Sequence, residues 1–149
     1  MMSKAQEKLS QELIDLLQGE KIVSLITTDG ETNQPNLSVI SWLVAHPEGD
    51  KIKFAVGHNA HSAKNIQGNP HLVLGVIGAE SCYSITGKGT VSDVIERTMK
   101  LRVITVDVES VEDVIFYGGK ITQEPAYEKT YDPNLAKKLD DEIYALLKE

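Results

Sequence analysis

Apolar and polar positions alternate through the middle of the chain and fall at helical spacing only near its two ends. Near the start, Leu9, Leu13, Leu16 and Leu17 share one face of a predicted helix over 3–18. Ser3 with Gln6 three residues on resembles a capping box, and Gly19 supplies the stop. Near the other end, Asp132 reads as an N-cap and Pro133 as the first helical position. Leu135, Leu139, Ile143, Leu146 and Leu147 then form the apolar face. The spacing predicts that these helices close a barrel end or lie against a partner subunit.

Between the helices the pattern predicts strands over 21–28, 37–46, 51–56, 72–77, 81–91 and 101–108, with one more over 114–117. The clearest is 51–56, where Ile52, Phe54 and Val56 alternate with Lys51 and Lys53. Residues 58–68 predict a turn and a short helix stopped by Asn69-Pro70. Residues 92–100 suit either a short helix or a β-hairpin arm. Six or more strands with so few helices point to a mainly β, antiparallel barrel rather than a doubly wound sheet. The whole chain, 1–149, reads as one domain.

Composition narrows the function. The net charge is −7, from 22 acidic and 15 basic side chains, and the cations are scattered. A nucleic-acid surface needs clustered Lys and Arg, so none is expected. No stretch approaches the roughly 20 apolar residues of a membrane helix. The start of the chain lacks the apolar core of a signal peptide, and the single Cys82 has no internal disulfide partner. These features predict a cytoplasmic protein, with Cys82 as a small buried apolar side chain. Asp107, Glu109, Glu112 and Asp113 read as a solvated loop more readily than as a divalent-ion site. His58 and His61 are too few for a metal centre.

Candidate chemistry concentrates after the 51–56 strand, where Gly57, His58, Asn59, His61, Ser62, Lys64 and Asn65 lie within nine residues. A hydroxyl, an ammonium and the opening amides of a short helix are what a phosphate group needs. The alternative is a plain surface helix, capped by Ser62 or Asn59, with Lys64 in solvent.

The order of segments PNLSVISWLVAH, KIKFAVG, HNAHSAKNIQGNPHLVLGV and YSITGKGTV resembles the FMN-binding split β-barrel superfamily, which includes the pyridoxamine 5'-phosphate oxidase-related proteins. The likeness runs from about Lys21 to Val108. It implies a Greek-key-like split barrel with N- and C-terminal helices, binding FMN, as a homodimer whose flavin sites draw on both subunits. It implies that Val56, Gly57, His58, His61, Ser62 and Lys64 hold the phosphate and ribityl chain. Val39, Ile40, Ser41 and Trp42 would run along the isoalloxazine edge, where backbone donors stabilise a reduced flavin. Trp42 is equally readable as a core or interface aromatic.

Arg97 and Arg102, the only arginines, would either reach across the dimer to the phosphate or form surface salt bridges. Two departures separate the chain from the oxidase itself. The 37–46 strand has no Lys or Arg, and nothing from Lys120 onward is Trp, His or Arg. The resemblance therefore implies a flavoprotein oxidoreductase acting on a small redox substrate other than pyridoxamine phosphate. A non-catalytic carrier of flavin, deazaflavin or haem is the alternative.

Overall fold

The computed structural model describes residues 5–149. The elements are α1 (Gln11–Leu16), β1 (Val23–Thr28), β2 (Pro35–Ile40), β3 (Leu43–Ala45) and β4 (Lys51–Gly57). There follow α2 (His61–Gly68), β5 (His71–Gly78), β6 (Ser81–Val91), β7 (Ile95–Glu96), β8 (Lys100–Asp113) and α3 (Pro133–Leu147). The strands pair antiparallel in the order β2-β1-β5-β6-β8-β4-β3, with β7 folded back on β8. The fold is mainly β, an antiparallel split barrel with helices at both ends.

The expected single strand over 37–46 is in fact two. Its first half pairs with β1, its second with β4, and these partners lie toward opposite edges of the sheet. The chain therefore closes the barrel covalently at Ser41-Trp42, where no strand ladder forms. Alternation alone gave no sign of this break, because the apolar positions continue through it.

Inside the barrel, Val23 and Leu25 of β1 meet Ile52, Phe54 and Val56 of β4, Leu72, Leu74 and Val76 of β5, and Ile104 and Val106 of β8. Two glycines of β6 make this packing possible. A Cβ on Gly89 would crowd Ile66, Leu72 and Ile104, and one on Gly87 would overlap the Asp107 carbonyl, where the β6–β8 register shifts by a bulge. Helix α1 adds Leu13 and Ile14 to this interior, together with Leu9 and Leu17 that flank it. Helix α3 covers the opposite face of β4 and β8, setting Leu139, Ile143 and Leu147 against Val44, Ala55, Leu101 and Val103.

Several sequence expectations are corrected. The first helix is short, because Gln6 exchanges backbone hydrogen bonds with Val111 and Leu9 N–H donates to Gly49. Ser10 is its N-cap, accepting from Leu13 N–H at 3.2 Å. The capping box expected of Ser3 and Gln6 involves Ser3, which lies outside the described residues. Residues 92–100 contain β7 and the hairpin arm rather than a helix. Strand β8 runs on to Asp113, so Asp107, Glu109, Glu112 and Asp113 lie on a strand, not in a loop, and 114–117 adds no strand. Cys82 is half-buried rather than buried. Helix α3 starts where expected, with the Asp132 side chain accepting from Asn134 N–H at 2.9 Å, but Leu135 is exposed rather than part of its apolar face. No helix among the described residues is long and apolar enough to cross a membrane.

Candidate functional site

The break at Ser41-Trp42 opens onto a cleft of about 500 Å³. One wall is the end of β2 and the break itself, from Ser38 through Val39, Ile40 and Ser41 to Trp42. The floor is the end of β4, with Ala55, Val56 and Gly57, and the start of α2, with Ala60 and Ser62. The remaining wall is irregular chain, 127–131, lying between β8 and α3.

Helix α2 is oriented by its burial pattern. Ala63 and Ile66 enter the core, and the buried Asn65 donates through Nδ2 to Thr27 Oγ1 of β1 at 3.0 Å. This fixes the opening of the helix toward the cleft. The N-cap is Ala60, so no side chain caps the first amides, and no acidic residue stands in the first turn. Ser62 is only 6% exposed, lines the cleft, and its hydroxyl makes no hydrogen bond among the described residues. A hydroxyl without a partner in the cleft lining, beside uncapped helix amides, is a donor set for an acceptor in the cleft.

Of the residues singled out from sequence, the cleft gathers Val39, Ile40, Ser41, Trp42, Val56, Gly57 and Ser62. His58, His61 and Lys64 stand outside its lining. The exposed His61 faces away to Asp29, with Nε2 and Oδ2 2.9 Å apart, and Lys64 is exposed. Asp29 in turn accepts from the Thr32 and Glu31 amides. These bonds, more than His61, hold its carboxyl below the usual value of 3.8. Neither arginine forms a salt bridge among the described residues. Arg97 donates to the Glu96 carbonyl, and Arg102 donates to the carbonyls of His58 and Ser92, bracing the turn before α2 against β8. Among the described residues no three His, Cys, Asp or Glu side chains converge as metal ligands.

What sequence reading missed is the wall at 127–131. Lys129 Nζ donates to both oxygens of Asp140 on α3, at 2.6 and 2.7 Å. Trp42 Nε1–H donates to the same Asp140 Oδ1 at 2.8 Å, so one carboxylate holds two walls of the cleft. Burial draws the Lys129 ammonium toward neutrality, but Asp140 outweighs it and the net shift is upward. Tyr127 OH donates to Glu20 Oε2 at 3.1 Å. Tyr144 OH donates to the Ser41 carbonyl at 3.1 Å and accepts from Glu20 N–H at 3.0 Å, pinning the break in place. Burial pushes the Tyr144 phenol far up, so it stays protonated across the working pH range. The only signal in the sequence was a run of Tyr127, Lys129 and Tyr131 just before the Asp132-Pro133 cap, without periodicity to place it.

No protein-family model and no curated protein matches the chain. Solved structures do. One is a candidate pyridoxamine 5'-phosphate oxidase from Lactobacillus delbrueckii, at TM-score 0.63 and 14% identity, covering 74% of this chain and 98% of that one. The chain has the split-barrel fold. HupZ of Group A Streptococcus aligns at TM-score 0.61 and 14% identity, covering 77% of this chain and 99% of that one. An F420 reductase aligns at TM-score 0.54 and 15% identity, covering 69% and 98%. At these identities the likeness is one of fold, and the chemistry has to come from the cleft itself.

Proposed function

We propose that the cleft binds FMN and that the protein is a flavin-dependent oxidoreductase acting on a small redox substrate. The observation that carries this reading is the unpartnered Ser62 hydroxyl in the cleft lining, beside the uncapped start of α2. That end of the cleft offers a phosphate its hydrogen-bond donors and the positive end of a helix dipole. From there the apolar wall of Val39 and Ile40 leads to Ser41 and Trp42, whose backbone and indole suit the polar edge and the face of a planar ring. Such a group supplies one- and two-electron transfer when bound, and the protein's part is position and electrostatics. The fold it shares with a candidate pyridoxamine 5'-phosphate oxidase and an F420 reductase supports the same reading.

A homodimer belongs to the proposal. Leu37 and Val39 of β2 are 65% and 61% exposed, and Leu37 pairs with the exposed Ile26 of β1. These side chains, with Ile77 of β5, leave one face of the sheet apolar and uncovered.

Titration of the purified protein with FMN and with riboflavin, followed by visible absorbance, tests the reading. FMN is expected to bind more tightly, and Ser62→Ala to narrow that preference by about 1–1.5 kcal/mol. A protein that binds neither flavin overturns the cofactor assignment. Equal losses for the two ligands in Ser62→Ala remove the phosphate from α2. Oxidation of the reduced flavin by pyridine nucleotides or quinones separates an enzyme from a carrier, which answers only to chemical oxidants and reductants.

A further inference from the structure

The wall formed by 127–131 is attached differently from everything else around the cleft. Ile121 N–H donates to the Glu80 carbonyl, and the next backbone hydrogen bond along the chain is Ala136 N–H to Asp132. Between them, among the described residues, 122–131 makes no backbone–backbone hydrogen bond and is tied down by side chains. Lys21 Nζ meets Glu124 Oε1 at 3.1 Å, Tyr127 meets Glu20, and Lys129 meets Asp140. The first pair is 40% exposed on both sides and contributes little. The last is shielded, at 20% and 19% exposure, makes two short bonds, and is shared with the Trp42 indole. A segment without backbone bonds opens at the cost of its side-chain contacts, and here one carboxylate carries the strongest of them.

We infer that 122–131 is a strap over the ligand cleft, latched by Asp140 through Lys129, and that its opening admits and releases the ligand. Asp140 is then a positioning residue for two walls at once. It holds the strap through Lys129 and fixes the plane of Trp42 through Nε1. Breaking the Lys129 bonds frees the strap and leaves the indole in place, whereas changing Asp140 disturbs both. The opening is independent of what fills the cleft. Only its effect on flavin exchange rests on the function proposed above.

The test compares the full-length protein with its Lys129→Met and Asp140→Asn variants, after far-UV circular dichroism shows that each is folded. In the ligand-free proteins, chymotrypsin is expected to cut after Tyr127 and Tyr131 about tenfold faster in Lys129→Met than in wild type, as loss of about 1.4 kcal/mol from the latch requires. Trp42 is the sole tryptophan, so its emission reports on the indole directly. The emission should shift in Asp140→Asn and hold in Lys129→Met.

With FMN in stopped flow, association and dissociation are expected to accelerate together in Lys129→Met. Slower association alone would make Lys129 a ligand contact and overturn the latch. Unchanged proteolysis in both variants overturns it as well. If wild type binds no FMN, the flavin reading falls, and proteolysis with Trp42 emission still decides the latch. Should Asp140→Asn fail to fold, Lys129→Met carries the same decision.

Discussion

The bond between Asn65 and Thr27 ties α2 to the barrel, and its removal has a calculable cost. Asn65 is 3% exposed and Thr27 is 2%, so neither side chain has water to turn to. In Asn65→Ala the Thr27 hydroxyl loses the Asn65 amide across a 3.0 Å contact, and a small void opens beneath the helix. An orphaned buried polar group costs about 1–3 kcal/mol, and the void adds to it, so about 2–3 kcal/mol is expected. Thr27→Val keeps the shape of the side chain but orphans the amide instead, at about 1–2 kcal/mol. Because each single change removes the same bond, the double variant should be less destabilised than the sum by about 1 kcal/mol or more. Urea unfolding followed by Trp42 emission reads all four proteins, with slopes compared to check that unfolding stays two-state. Against a total stability of about 5–15 kcal/mol the changes are easily resolved. Additivity to within about 0.3 kcal/mol would refute the coupling, and with it the claim that this bond sets the aim of α2.

Gly87→Ala should lower stability by about 1–3 kcal/mol, because its methyl would overlap the Asp107 carbonyl. Gly30→Ala, with open space around it, should change the thermal midpoint little, and equal effects in the two would count against the bulge. The Thr32 and Glu31 amides, helped by His61, depress the Asp29 carboxyl, so its contribution is present above pH 3.8 and lost as pH falls through the lower folded value. Asp29→Asn should accordingly flatten the loss of stability below about pH 4, read from urea midpoints across pH, and an unchanged acid limb would contradict this. Leu37→Glu with Val39→Glu, on the uncovered face of β2, should yield a folded monomer by sedimentation if that face joins two copies. An unaltered mass would place the contact elsewhere or remove it.

Local patterns in the sequence determined the elements whose cause is local. The alternation of Ile52, Phe54 and Val56 against two lysines is sufficient to define β4, because a strand's buried face is written in its own residues. Asp132-Pro133 sets the start of α3 for the same reason, as a cap acts within one turn. Gly57 and Ser62 stood out by their place just after the predicted 51–56 strand, and Ser41 and Trp42 only through the family resemblance; all four line the cleft. Three features were decided only by long-range pairing. The 37–46 run divides because its halves find different partners, a choice that alternation does not encode. The helix at the start is shortened because Gln6 bonds to Val111, over a hundred residues away. The strap over the cleft has no period at all: it is fixed by Lys129, Asp140 and Trp42, which only the folded barrel brings within bonding distance.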